Sequence, residues 1–256
     1  MKPLSKSNVK GIYIPFLFCV FCVFCGLSSI KGETPRTFRV VAFGDSTTAF
    51  RKGINKVYSQ RLQEALSEWG QGYRFEVYNA GVRSHTTRDG RDRFERDVLS
   101  RRPDLVIIQF GLNDSCIDVH RGKTGPRVRQ TDYEQNLVYF ISRLRERGGK
   151  VILMTPNPGR WSDAVKKKWG KPPYNTGDPM GFNLLNREYA ETVRRVAREM
   201  KVPLIDVYRL FVDYDKKEGR SMDELLPDGM HPNDAGHRMI VRALIPIIKE
   251  ELLPRK

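Results

Sequence analysis

Three short segments hold side chains suited to a single reaction. Gly44-Asp45-Ser46-Thr47 lies near the start of the folded region, Gly111-Leu112-Asn113-Asp114 near the middle, and Asp228-Gly229-Met230-His231-Pro232-Asn233 near the end. A serine hydroxyl becomes a competent nucleophile when an imidazole takes its proton and a carboxylate orients that imidazole. Ser46, His231 and Asp228 supply these three groups. Hydrogen-bond donors must also meet the oxyanion that forms on attack. The candidates are the backbone N–H of Ser46, the backbone N–H of Gly81 and the side-chain amide of Asn113. Each residue also has a plainer role: Ser46 as a turn or helix cap, Asn113-Asp114 as an Asx turn, Gly81 as a residue with positive φ, and Asp228-Gly229 as a loop turn. Of the four histidines, only His231 has an aspartate three residues before it in a glycine-containing loop. His237 reads as a packing residue inside the last helix, while His85 and His120 fall in polar loops where they could contact a substrate. The Gly-x-Ser-x-Gly nucleophile elbow is absent, because position 48 is Thr.

These residues are placed by an alternation of strand and helix patterns. Phe38–Phe43 reads as a first strand and Phe75–Tyr78 as a second, closing on Asn79-Ala80-Gly81. Leu105–Phe110 is the clearest, a nearly unbroken apolar run suited to a strand buried on both faces. Val151–Met154 and Val202–Val207 are a fourth and a fifth. Between them, Tyr58, Leu62, Leu66 and Trp69 follow helical spacing. So do Phe94, Val98 and Leu99 within 88–102, and Leu137, Phe140, Ile141 and Leu144 behind a capping box at Thr131 and Glu134. Leu185, Tyr189, Val193, Val196 and Met200 mark another helix. Asn233 or Asp234 caps a final one running through Leu253, with a kink expected at Pro246. The pattern predicts a three-layer α/β/α sandwich around a five-stranded parallel sheet. Ser46, Gly81 and Asn113 all follow strands, which puts them at the carboxyl edge where open α/β sheets bind ligands.

Composition narrows the function classes. Hydrophobic residues make up 39% and aromatics 10% of the 256 residues, enough for a real core. Residues 1–32 read as a signal peptide: Lys2, Lys6 and Lys10 precede an apolar run from Gly11 to Leu27, and Ser28 and Ser29 follow. Uncleaved, this run of about 17 residues would instead anchor the chain, at the short edge of what spans a bilayer. Residues 33–256 then form one domain. Cys19, Cys22 and Cys25 lie in the leader with no fourth ligand, so they do not read as a metal site, and the residues before Cys25 lack a lipoprotein pattern. Cys116 alone follows, so no internal disulfide is possible there. The formal charge is +15, of which +11 lies beyond the leader. That favours anionic partners, or serves only as a solvated surface. No nucleic-acid motif is present.

Residues 156–179 form a long stretch of low helix and strand potential containing Trp161, Trp169, Tyr174 and Lys166-Lys167-Lys168. Loops of this length in compact domains are commonly functional. The aromatics are expected to stack on sugar rings and the lysines to attract uronates.

The four blocks carrying Ser46, Gly81, Asn113 and His231 occur in the order of the SGNH hydrolase superfamily, also called the GDSL esterase/lipase family, which the chain resembles over residues 36–253. The resemblance implies a flavodoxin-like sandwich and a serine esterase that needs no metal or cofactor. It implies Ser46 as nucleophile, His231 as base, Asp228 as its orienter, and Gly81 and Asn113 as oxyanion donors. The first block reads Gly-Asp-Ser-Thr-Thr instead of Gly-Asp-Ser-Leu-Ser, closer to carbohydrate acetylesterases such as rhamnogalacturonan acetylesterases. An exported O-acetylesterase acting on acetylated, acidic carbohydrate is therefore expected, with no stable membrane partner once the leader is removed. The alternatives are a lysophospholipase or thioesterase, a catalytically silent glycan-binding protein, and, weakest, a cysteine hydrolase using Cys116. The sequence does not specify an oligomeric state.

Overall fold

The computed structural model describes residues 35–253; the leader expected at 1–32 lies outside them. The strands are β1 (Arg36–Gly44), β2 (Tyr73–Gly81), β3 (Leu105–Gln109), β4 (Lys150–Met154) and β5 (Leu204–Ile205). All pair in parallel, in the order β2-β1-β3-β4-β5. The order reverses on either side of β1, so β1 and β3 flank a crevice at their carboxyl ends, the topological switch point of such sheets. Gly44 at the end of β1 is in register with Gly81 on one side and Gln109 on the other.

The α-helices among the described residues are α1 (Tyr58–Trp69), α2 (Thr87–Asp97), α3 (Gln130–Arg145), α4 (Asp163–Trp169), α5 (Asn186–Glu199), α6 (Val207–Asp215) and α7 (Asp234–Leu252). Successive strand residues point to opposite faces, and the two cores follow that alternation. Phe38, Val40 and Ala42 of β1 join Leu105, Ile107, Ile152 and Met154 beneath α1, α6 and α7. Val41 and Phe43 join Val106, Ile108, Val151 and Leu153 beneath α2, α3 and α5. The second layer is centred on Phe43, whose ring meets Phe94, Phe110 and Phe140 at 5.0–5.4 Å between centroids. This is the three-layer sandwich expected from the sequence. No helix among the described residues is long and apolar enough to cross a membrane.

Three details differ from the sequence reading, at β5, at the start of α3 and in the 156–179 stretch, while α7 follows it. The fifth strand shortens to Leu204–Ile205, because Asp206 caps an unforeseen helix, α6, by accepting from Arg209 N–H at 3.0 Å. Arg194 holds that same carboxylate through two bonds, at 2.7 and 2.8 Å. Helix α3 begins without a side-chain cap: Arg129 is its N-cap and Thr131 already lies inside it. Helix α7 continues through Pro246, and Asn233 caps it by accepting from Ala235 and Gly236 N–H. The 156–179 stretch contains a real helix, α4, capped by Ser162. Its Val165 and Trp169, spaced i, i+4, bury on one side.

His237 of α7 is fully buried and accepts from Tyr58 N–H through Nδ1 at 3.2 Å. Burial pushes its pKa from 6.5 down to about 4. Between those values the unfolded chain binds more protons than the folded one, so the stability this neutral histidine confers is lost as pH falls through that window. His237→Asn keeps an acceptor for Tyr58 but removes the titration. Urea unfolding at pH 7.5 and 4.5 should show the wild type losing about 2–3 kcal/mol relative to the variant. A pH-independent difference would contradict a neutral buried His237.

Candidate active site

The Ser46 turn is set by close packing. Asp45 C=O accepts from Thr48 and Ala49 N–H at 3.2 and 3.0 Å, and its carboxylate accepts from Thr47 N–H at 2.9 Å. A Cβ on Gly44 would come within 2.3 Å of Thr48 Oγ1, and one on Gly81 within 2.3 Å of Ala49 N. Both strand ends must therefore be glycine for the turn to sit on them. The buried Arg93 ties the same ends together, donating to Gly44 C=O at 2.8 Å and Ala80 C=O at 2.7 Å. Asp45 and Asp114 are both buried. Burial raises their pKa values to about 7 and about 6, against the lowering effect of donors from Thr47 and Thr87 respectively.

Ser46 Oγ lies 2.9 Å from His231 Nε2, and His231 Nδ1 lies 2.8 Å from Asp228 Oδ2. The other oxygen of Asp228 accepts from Met230 N–H at 3.0 Å and His231 N–H at 2.8 Å, an Asx turn that fixes the imidazole relative to its carboxylate. Burial opposes the ionised form of Asp228. The bond and charge of His231, with the two backbone donors, outweigh that and hold the carboxyl well below the usual carboxylate range. Gly229 has φ +79°, and a Cβ there would come within 2.4 Å of Arg160 C=O. The His231 loop is thus packed directly against the start of the 156–179 segment, and Ser162 Oγ donates to Asp228 C=O at 2.9 Å.

Asn113 is held by both ends of its amide. Its Oδ1 accepts from Arg127 at 2.9 Å and its Nδ2 donates to His85 C=O at 3.1 Å, leaving a second N–H on that nitrogen. Arg127 is fixed by a bidentate pair with Asp118 at 2.8 and 2.9 Å. The Ser46 N–H donates to no acceptor among the described residues. Gly81 departs from expectation. Its N–H donates to Asn79 Oδ1 at 2.9 Å, so it is engaged within its own strand end, and its visible role is the close contact under the Ser46 turn.

The expected sugar platform also needs correction. Trp169 and Tyr174 are only 6% exposed and pack with Phe182, Val165, Ile117 and Cys116 in a small satellite core. Tyr174 Oη accepts from Ile117 N–H at 2.8 Å. Trp161 is half-buried, its indole N–H shared between the Asn175 and Asp178 carbonyls. These rings hold the insertion together, and the faces of Trp169 and Tyr174 are not open to a ligand. Lys166, Lys167 and Lys168 are exposed. The buried Cys116 has its thiol pushed up by burial and is in contact with Tyr174, unlike a nucleophile.

Four residues of the site carried no signal in the sequence. Arg51 donates to Asp228 Oδ2 at 2.8 Å. Arg93 and Arg127 act as described above. Asn157 accepts from Thr47 Oγ1 at 3.0 Å and donates to Met230 C=O at 2.8 Å, bridging the serine turn to the histidine loop. A cavity of about 400 Å³ between the insertion and α5–α6 includes none of these residues.

A doubly wound parallel sheet with a hydroxyl, an imidazole and a carboxylate hydrogen-bonded in series at its carboxyl edge has the architecture of a hydrolase. The model of the GDSL-like lipase/acylhydrolase family matches residues 42–239, and the chain belongs to that family. An uncharacterised lipoprotein of Bacillus subtilis, YqeF, is 33% identical over 220 residues, covering 80% of this chain and 87% of its own. An acetylxylan esterase of Geobacillus stearothermophilus is 28% identical over 194 residues, covering 72% and 75%. Among solved structures, the acetyl xylan esterase AlAXEase superposes with a TM-score of 0.66 at 27% identity, over 82% of this chain and all of its own. A lipase/acylhydrolase from Enterococcus faecalis gives 0.65 at 25% identity, over 86% and 99%. The protein is a carboxylic ester hydrolase.

Gly81→Ala should cost about 1–3 kcal/mol, because the methyl meets backbone that cannot swing aside. Ester hydrolysis should fall with it as the Ser46 turn is displaced. Denaturant unfolding and initial rates on one preparation check this; wild-type stability and rate would show that the contact does not constrain the turn.

Proposed function

We propose that this esterase is an exported carbohydrate O-acetylesterase working through Ser46, His231 and Asp228. The observation that carries the mechanism is the unbroken relay from Ser46 Oγ to Nε2 at 2.9 Å and from Nδ1 to Asp228 at 2.8 Å. Ser46 Oγ attacks the acetyl carbonyl while His231 takes its proton. The Ser46 N–H and the uncommitted N–H of Asn113 Nδ2 meet the oxyanion. The intermediate collapses, the sugar oxygen leaves with the proton from His231, and an acetyl-serine forms. Water, deprotonated by His231, attacks that ester, and acetate leaves as Ser46 recovers its proton. Asp228 keeps its charge throughout and stabilises the imidazolium.

Support for a short acyl group comes from the surroundings of Ser46. Ser46 is followed by Thr47 and Thr48, and Thr47 Oγ1 donates to the buried Asn157, so the serine turn is polar where a long alkyl chain would call for apolar contact. Support for carbohydrate comes from the relatives named acetylxylan esterase, one of which the chain matches at 28% identity. Export rests on the leader pattern of residues 1–32, and a relative named a lipoprotein agrees with it. The exposed lysines of α4 remain available to acidic sugars even though its tryptophan is not.

Ser46→Ala should lower kcat on the order of 10³-fold or more with an unchanged circular dichroism spectrum. Near-wild-type turnover would overturn the assignment. Across p-nitrophenyl esters, kcat/KM should be highest for acetyl and fall with chain length, and acetate should be released from acetylated xylan or pectin. Each methylene accepted by a fitting pocket is worth about 1 kcal/mol, so a rising trend to octanoyl would instead identify an acyl-chain hydrolase.

A further inference from the structure

Arg51 lies in the turn region after β1, far in sequence from the histidine loop. Its side chain is only 16% exposed. Its Nη2 donates to Asp228 Oδ2 at 2.8 Å, the same oxygen that faces His231 Nδ1 at 2.8 Å. Its Nε and Nη1 are buried and meet no acceptor among the described residues. A covered guanidinium normally spreads its five donors over several acceptors. This one is committed to Asp228 alone, at the cost of two buried nitrogens without an acceptor. Such a cost is tolerated where the contact sets something else.

We propose that Arg51 is a positioning residue of the hydrolytic machinery: it fixes the Asp228 carboxylate and, by sharing the oxygen that faces the imidazole, keeps His231 unprotonated to lower pH than Asp228 alone would allow. This rests on the Ser46–His231–Asp228 reading above. The physical argument is charge competition. An isolated carboxylate at Nδ1 favours the imidazolium, and a cation on that same oxygen withdraws part of the benefit. It also leaves Oδ1 free for the N–H groups of Met230 and His231, so the imidazole cannot turn away from Ser46. The other charged or titratable groups around the loop have partners of their own or are buried. Arg160, whose backbone packs on Gly229, is paired with Asp215 and Asp223. Asp234 and Arg61 form an ion pair across α7 and α1, His237 is neutral in the core, and the buried Asp45 precedes Ser46. None of these is bonded to the Asp228 carboxylate, so Arg51 is the cation placed to act on it.

The test compares Arg51→Gln, which removes the charge, with Arg51→Lys, which keeps it. The acid limb of kcat/KM on p-nitrophenyl acetate is measured, and the His231 ring is titrated by NMR in a Ser46→Ala background with and without each change. The expected result is a His231 titration and an acid limb about 0.5–1 pH unit higher in Arg51→Gln, with Arg51→Lys recovering at least half of the shift. KM at pH 8 should stay within about twofold of wild type, since Arg51 touches no substrate in the proposed mechanism. Limbs and titrations that coincide within about 0.2 pH unit would overturn the proposal. If Arg51→Gln does not fold, Arg51→Ala carries the same comparison, with the same outcomes deciding. Failure of the underlying reading is distinguishable: an active Ser46→Ala enzyme removes the triad itself, whereas an inactive Ser46→Ala with an unmoved Arg51→Gln limb removes only the role of Arg51.

Discussion

The active-site edge depends on the carboxylate of Asp228. Four donors converge on it: the backbone N–H groups of Met230 and His231 on one oxygen, the His231 imidazole and Arg51 on the other. Together they draw one loop, the histidine ring and the turn after β1 into a single geometry. A carboxylate that is part-covered and ionised must be satisfied on both oxygens or pay its desolvation. Here the groups that satisfy it are the ones that aim Nε2 at Ser46. The same linkage reaches outward through Ser162 and Asn157, so the insertion supports the loop from behind.

On the opposite side, steric closeness does what hydrogen bonds do around Asp228. Gly44 and Gly81 sit side by side at the ends of β1 and β2 with no room for a methyl, and Arg93 clamps the carbonyls beside them. The serine turn therefore rests directly on the sheet. Buried Asp45 and Asp114 lie beneath it, a polar layer that the packing must keep satisfied.

Much of this was legible in the sequence where the signal is local. The apolar runs of β1, β3 and β4 and the helical spacing of α1, α3, α5 and α7 read directly, because burial on both faces leaves a periodic trace. Ser46, Asn113 and the Asp228–His231 pair were legible because they follow strands or lie three residues apart. Helix α6 and the short β5 were not, since Asp206 ends the strand through a cap and an arginine twelve residues earlier. Arg51, Arg93 and Asn157 were not, because they join segments far apart in the chain: Arg51 reaches Asp228 over 177 residues, Thr47 reaches Asn157 over 110 and Arg93 reaches Gly44 over 49. Arg127 was not either: it turns back onto Asp118 and Asn113, 9 and 14 residues before it, within irregular backbone that leaves no periodic trace. Trp169 and Tyr174 show the complementary error. Aromatics among lysines suggested a ligand surface, yet the i, i+4 spacing of Val165 and Trp169 already marked a buried helix side. Gly81 does lie at the strand end, but nothing in its type or spacing signals that Asn79, two residues earlier, accepts its N–H.

The central claim is that Ser46, activated by His231, carries the acyl group. The direct measurement is peptide mass spectrometry after reaction with an alkyl fluorophosphonate, on the wild type and on His231→Ala. The account predicts one adduct per chain, on the peptide containing Ser46, and its near absence in His231→Ala under the same conditions. A label on any other residue, or equal labelling of Ser46 without His231, would contradict it.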